Sequence, residues 1–589
     1  MSDVLERTAG SVVIIRVLVA MLVIMPLCMV QAQEAAPEMR AMWVDGWRAG
    51  FKSPSETDRL LRDARAGNFN ALFIQVRKRA DAYYRSAYEP MAADISPIGY
   101  DPLADLIEKA HEGEQPIEIH AWINSYIVGA SLSPSDPQHP IRLHRDWLTQ
   151  DVTGDRWNGA NYQFDPGHPG VLQYTFDVAM DIITNYDVDG LHFDYIRYSE
   201  ADSAANANVW GYNPVAVERY NRLYDQSGRP APSAGTWSQF KRDQVTALVR
   251  KTYLHVLALR PEVRLSVAAI PWGSAPGGTT KSVFRSTAAW SLVMQDWRGW
   301  TEEGIIDLAI PMVYRNQTGS ASTFSQWNTI AKRMQFRRAT AIGAGFYLNG
   351  IGETLEQIQQ IRRPSSGQRS AGIVGFSYGV PTESGAGRST LLAALTDPQT
   401  ASTYDPGNEP LFAEQATVPA MPWKTDPAFA HIMGTVTDAD GNVIDGAKIL
   451  LAGPETRTLT TDGTGFFGAV DLAPGEYSIS AVYEDAVVAT QVATLAGAQV
   501  ARVNLRGSGP VEPESNALAI HSVTYSDGDV ILQWNSIPGE IYNVDYSKDL
   551  VSWSTIGLGL QANGYSMIYQ DQKADGRGVG ILFYRVRLR

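Results

Sequence analysis

Between about Arg40 and Leu395, eight short apolar segments alternate with amphipathic ones, and this alternation narrows the choice of fold more than any other feature of the 589-residue chain. Strand and helix in strict turn make parallel α/β units, and eight of them can close on themselves. The strand segments are Arg40–Asp45, Ala71–Arg77, Glu118–Asn124, Gly190–Asp194, Arg264–Ile270, Ile306–Tyr314, Ala339–Tyr347 and Gly372–Phe376. Segments such as Glu56–Ala66, Pro102–Glu112, Gly170–Asn185 and Trp237–Leu259 carry apolar residues at helical spacing between them. The expectation is a (β/α)8 TIM barrel over 38–395, with its working surface at the C-terminal ends of the strands.

Beyond the barrel the pattern changes. Residues 396–429 are rich in Pro, Ala and Thr without periodicity and read as a linker. Short alternating strands around Asp438-Ala-Asp-Gly441, Asp462-Gly463 and Pro474-Gly475 suggest a small β-sandwich over 430–507. A second linker, 508–516, leads to a β-rich unit over 517–589. The chain is thus expected to be a barrel followed by two small all-β, sandwich-like domains. At the start, the apolar run 11–30, preceded by Arg7 and closed by Gln31-Ala32, reads as a signal peptide over 1–32, rather than an uncleaved anchor, so the mature chain would be exported with no membrane span. The sole cysteine, Cys28, lies inside that run, which leaves the mature chain no disulfide and no thiol nucleophile.

A net charge of -14 without a basic run argues against a nucleic-acid partner and leaves small or polymeric glycans open. No His-x-His or His-Glu-x-x-His pattern marks a metal site, and no cofactor-binding loop is evident. Gly375-Phe-Ser-Tyr-Gly379 matches a nucleophile elbow, but the only later histidines, His431 and His521, fall in the β modules, so the match reads as chance.

Strand parity locates the chemistry. Residues two apart share a face, so Trp43 with Asp45, Gln75 with Arg77, His120 with Asn124, and His192 with Asp194 would point into the barrel. Asp194 closes its strand on the inward side, where a catalytic carboxylate is expected; the alternative is an ion pair with Arg197 that holds a loop. Asp81, in the loop after the second strand, is the expected catalytic partner, although it and Asp45 could instead cap a helix or anchor a loop. Converging carboxylates among aromatic residues suit glycoside hydrolysis. Twelve of the fifteen tryptophans precede residue 400, some of them core and some available to stack on sugars. The expected substrate-binding set is Asp45, Trp43, Arg77, His120, Asn124, His192, Arg197, Trp272, Tyr314 and Tyr347.

Five blocks in order, Arg40-Ala-Met-Trp-Val-Asp45, Gln75-Val-Arg-Lys-Arg-Ala-Asp-Ala-Tyr-Tyr84, His120-Ala-Trp-Ile-Asn124, Asp189-Gly-Leu-His-Phe-Asp-Tyr-Ile-Arg-Tyr198 and Ile310-Pro-Met-Val-Tyr314, resemble the glycosyl hydrolase-like 10 family. The resemblance implies a TIM barrel acting on glycans, and in some bacterial members cleavage of peptidoglycan strands stripped of peptide. The fourth block is also similar to the corresponding strand of family 18 chitinases, but Ile196 stands where those enzymes place their acid. Residues 430–507 resemble carboxypeptidase regulatory-like domains, and the last unit resembles a fibronectin-like module. The reading is an exported glycosidase acting on a polysaccharide. Its alternatives are a glycan-binding protein without turnover, and a scaffold whose β modules mediate adhesion.

Overall fold

A computed structural model describes residues 36–589 apart from 201–208, 384–386, 508–517 and the loop positions 485, 519, 527, 538, 563–565, 573 and 578–581. The expected signal peptide, and all of the second linker, lie outside the described residues. Eight parallel strands close a barrel: β1 (Met39–Val44), β2 (Ala71–Arg77), β3 (Glu118–Asn124), β4 (Gly190–Asp194), β5 (Arg264–Ala269), β6 (Leu308–Val313), β7 (Ala339–Gly345) and β8 (Gly372–Phe376). Each strand pairs with its neighbours in sequence, and β8 returns to β1 through Met39↔Gly372 to Trp43↔Phe376. The (β/α)8 expectation holds, with β6 and β7 shorter than the apolar runs that announced them.

Period-2 alternation sorts the side chains. Met42, Val44, Leu72, Ile74 and Val76 pack outward into the barrel–helix layer. Met39, Ala41, Trp43, Phe73, Leu308 and Ile310 fill the lumen. Gly343 is required there, because a Cβ would stand 2.8 Å from the Trp43 ring and from the Pro311 carbonyl. Trp237, Trp297, Trp300 and Trp327 are buried to 1 % exposure or less within hydrophobic clusters, so they are core rather than sugar platforms.

Parity fails at one point. A register shift between Gln75 and Arg77 breaks the β2–β3 ladder, and the extra residue turns Arg77 away from the mouth. Arg77 is 1 % exposed; its Nε donates to Glu89 Oε1 and Oε2 at 2.8 and 2.9 Å, and Nη1 meets the Asn124 carbonyl. It serves as a structural cation.

The segment 396–429 is not a free linker. It crosses the N-terminal end of the barrel, and its carbonyls take the donors left at the strand starts. Glu38 N donates to Thr417 O at 2.9 Å, Asn70 Nδ2 to Ala416 O at 2.7 Å, and Arg264 Nη2 to Pro419 O at 2.8 Å. Lys424 Nζ and Trp423 Nε1 each reach Asp307 at 2.7 Å.

The region 430–507 forms two sheets, one of Ala430–Thr437, Phe466–Leu472, Val500–Arg502 and Leu505–Arg506, the other of Lys448–Ala452, Thr456–Thr460, Gly475–Tyr483 and Ala486–Leu495. It is joined to the barrel by Arg219 on Asp445 at 2.9 Å and by Lys251 Nζ on Thr464 Oγ1 at 3.0 Å. The last unit is two three-stranded antiparallel sheets. Among the described residues no helix is long and apolar enough to cross a membrane.

Asp307 is wholly buried. Burial pushes its carboxyl pKa up, but Lys424, Trp423 and the Leu265 N–H together hold it below the usual carboxylate range. Replacing it by Asn would strand the buried Lys424 ammonium, and we expect Asp307→Asn to cost about 3–5 kcal/mol, read as a lower melting temperature for the barrel. An unchanged melting temperature would show that the crossing segment does not brace the barrel.

Candidate active site

The C-terminal ends of the strands open into a cleft of about 490 Å³. Trp43, Asp45, Asn124, Asp194, Arg197, Trp272, Tyr314 and Tyr347 line it, so eight of the expected residues are brought together. His120 and His192 lie beneath it. His120 stacks on Phe73 at 4.4 Å between ring centres and meets Glu118 Oε2 at 3.0 Å. Trp43 Nε1 donates to His192 Nε2 at 3.2 Å, which leaves the His192 Nδ1–H to donate to Ser266 Oγ at 2.9 Å. Burial holds the His192 pKa well below its ordinary value, so it is a neutral floor residue and not a proton shuttle.

Asp81 does not reach the cleft lining. Its Oδ1 accepts the Lys78 and Arg79 N–H groups at 3.3 and 2.8 Å, shaping the turn that presents those two cations. Arg77, turned aside by the bulge, is absent from the cleft too.

Asp194 is held from several directions. Ser125 N and Oγ donate to its carbonyl at 2.7 and 3.0 Å. Tyr195 adopts φ 48°, a left-handed conformation, and its N–H donates to Asp194 Oδ1 at 2.7 Å. Burial pushes the Asp194 carboxyl up to about 6; the Tyr195 N–H, the Arg197 charge and the Trp122 indole oppose this and do not offset it. Arg197 is no simple counter-ion: it is sandwiched between Tyr195 and Trp272, 4.6 and 5.0 Å from the ring centres, and its Nη1 donates to Glu200 at 3.2 Å. Ile196, at the position of the chitinase acid, is fully buried in the barrel–helix layer, so Asp194 is the terminal carboxylate of this strand.

Asp45 faces the same cleft from β1. Trp47 N donates to it at 3.1 Å, Arg48 Nη1 at 3.4 Å and Ser377 Oγ at 3.3 Å. The serine of the Gly-x-Ser-x-Gly match therefore orients a carboxylate and has no histidine partner among the described residues. A chain of amides ties three loops together: Gly46 N donates to Gln75 Oε1 at 2.9 Å, Gln75 Nε2 to Asn124 Oδ1 at 3.3 Å, and Asn124 Nδ2 to Lys78 O at 2.9 Å. Tyr314 packs against Phe376 with ring centres 5.3 Å apart and edge-on to Trp43 at 6.1 Å, making an aromatic wall.

A cleft at the C-terminal mouth of a closed barrel that holds two anchored carboxylates between aromatic faces has the kinds of group that glycoside hydrolysis uses. The model of the glycosyl hydrolase-like 10 family matches residues 38–361, more than half of the chain. The chain belongs to the glycosyl hydrolase-like 10 family. Proteins similar to this chain include one named glycosyl hydrolase YngK from Bacillus subtilis, 25 % identical over 441 residues, which are 69 % of this chain and 78 % of that one. Another is glycosyl hydrolase DigH from Escherichia coli K12, 27 % identical over 330 residues, 52 % of this chain and 69 % of that one. Outside the family-10 match, residues 431–507 match the carboxypeptidase regulatory-like domain. Among solved structures, the glycoside hydrolase domain of PgaB from Bordetella bronchiseptica aligns at a TM-score of 0.42 and 14 % identity, over 63 % of this chain and 99 % of that one.

Trp47, Lys78, Arg79, Trp122, Glu200 and Arg315 also line the cleft, and the sequence reading assigned them no role in the site. Trp122 shares the inward parity of His120 and Asn124; the others lie in loops just beyond strand ends, so position relative to the barrel was the available signal.

The raised carboxyl has a stability consequence. Asp194 binds its proton more tightly folded than unfolded, so stability falls as pH rises between about 4 and 6 and stays lower above, by about 3 kcal/mol at most. Asp194→Asn, which carries no charge to desolvate, should therefore melt higher than wild type at pH 7.5 and alike at pH 4. Equal melting at both would mean that the folded carboxyl titrates like an exposed one.

Proposed function

We propose that this protein is a glycoside hydrolase that cleaves a polysaccharide within the barrel cleft, with Asp194 as the proton donor. The observation that carries this reading is a buried carboxyl, raised to about 6, at the end of an inward-facing strand between Trp272, Tyr314 and Trp43. Such a group remains protonated at mildly acidic pH and can deliver its proton to a leaving glycosidic oxygen. The second carboxylate is Asp45, which takes the role that sequence alone suggested for Asp81, because Asp45 faces the cleft and Asp81 spends its oxygens on the Lys78–Arg79 turn. Asn124, Arg197, Tyr314 and Tyr347 position the sugar. A carboxyl separation of about 5–5.5 Å in the substrate complex would give retention, and about 6.5–9.5 Å inversion.

Peptidoglycan glycan strands are the proposed polymer, in keeping with the family resemblance, and the apolar segment 11–30 fits export to meet them. In this scheme the β-sandwich at 430–507 braces the barrel through Asp445 and Thr464 instead of forming the cleft.

New reducing ends measured on peptidoglycan strands, chitin oligomers and plant or algal polysaccharides test the reading. The cleavage rate should fall on a limb near pH 6 as Asp194 loses its proton, and Asp194→Asn should lose about 10²–10⁴-fold. Asp45→Asn should be similarly impaired and Asp81→Asn much less so. Binding without reducing ends on any of these glycans would instead make the protein a non-catalytic glycan binder.

A further inference from the structure

Asp45 follows β1 and Asp194 ends β4, so on one side of the ring β2 and β3 lie between the two cleft carboxylates. In a closed barrel the backbone ladder fixes how strand tips are spaced. Here the ladder slips where that spacing is set. Gln75 pairs with Trp122, but Arg77 pairs with Ile123, which leaves Val76 out of the β2–β3 register.

Side chains span the slip instead. Gln75, 2 % exposed, accepts the Gly46 N–H through Oε1 at 2.9 Å and donates through Nε2 to Asn124 Oδ1 at 3.3 Å. Gly46 is the residue after Asp45. Asn124 pairs with Asp194 in the β3–β4 register, and its Nδ2 donates to Lys78 O at 2.9 Å. The next residue, Ser125, donates through N and Oγ to the Asp194 carbonyl at 2.7 and 3.0 Å. Arg77 Nη1 adds a bond to the Asn124 carbonyl. A continuous path therefore runs from the backbone beside Asp45 to the backbone of Asp194, and Gln75 is the member that bonds to both sides of the slip. The path needs one side chain that accepts and donates at once, which an amide does and an ionised carboxylate or a thioether does not. Gln75 also lines the cleft, but its Oε1 and Nε2 are both engaged within the protein.

We propose that Gln75 is a positioning residue that sets the separation of Asp45 and Asp194 by tying the backbone at Gly46 to Asn124, an inference that rests on the hydrolase reading above. The separation of two such carboxylates decides whether the second can reach the sugar or leaves room for a water. Gln75 thus governs turnover through the two acids and not through a contact with the glycan.

The test compares wild type with two full-length variants. Gln75→Met keeps an unbranched side chain and removes both bonds, whereas Gln75→Glu, when ionised, still accepts from Gly46 but cannot donate to Asn124. On a glycan that wild type cleaves, both should lower kcat about 10²-fold, the loss that a misplacement of about 1 Å brings. KM should stay within about twofold, because no binding contact is removed. A raised KM with kcat unchanged would make Gln75 a sugar contact and overturn the proposal. A lower melting temperature with kcat and KM both unchanged would also overturn it, since Gln75 would then serve the fold alone. Crystal structures of wild type and the variants measure the separation directly, whether or not any glycan is cleaved. It should change by about 1 Å while β5–β8 superpose, and an unchanged separation would overturn the proposal. If Gln75→Met does not fold, Gln75→Glu carries both measurements. Wild type that releases no reducing ends from any glycan would remove the hydrolase reading, and the structures would still decide whether Gln75 sets the spacing.

Discussion

Closure of the barrel ladder is the constraint on which everything else rests. Once β8 pairs with β1 from Met39↔Gly372 to Trp43↔Phe376, no strand edge is left unpaired, and all eight C-terminal ends must point to one side. Residues more than a hundred positions apart, such as Asp45 and Asp194, then share a cleft that no local interaction could assemble. The same closure makes the lumen a packed core. Trp43, Phe73, His120 and His192 pack on one another as a polar-aromatic layer at the floor of the cleft.

The electrostatics follow from that layer. Asp194 sits at the boundary between a dry lumen and an open mouth, dry enough that burial raises its pKa and open enough to touch a ligand. Its backbone is pinned by Ser125 and the left-handed turn at Tyr195, whose N–H donates to the carboxyl at 2.7 Å. At the opposite end the buried Asp307–Lys424 pair does structural work, and there burial is offset by full hydrogen bonding.

The departures from the sequence reading, at Arg77, at Asp81 and over 396–429, share a cause: each depends on contacts made outside its own stretch of chain or on backbone groups that carry no side-chain pattern. Parity carried Trp43, Asp45, Asn124 and Asp194 into the cleft because a strand's two-residue period is local and visible in the sequence. It misplaced Arg77 because a bulge depends on the partner strand, and nothing near Arg77 announces that Ile123 will shift the register. The segment 396–429 looked like a linker because several of its contacts to the barrel run through carbonyls of Glu414, Ala416, Thr417 and Pro419. Carbonyls are common to all residues, so such contacts leave no pattern of side chains.

What the sequence determined by itself was the alternation of strand and helix, the inward face of most strands and the carboxylate that ends the fourth, since each depends on the spacing of neighbours along the chain. The meeting of Asp45 and Asp194 in one cleft and the diversion of Asp81 to a turn were decided only by tertiary structure. Each depends on which loops meet across the barrel mouth, and that is set by a closed ring of hydrogen bonds spanning more than three hundred residues.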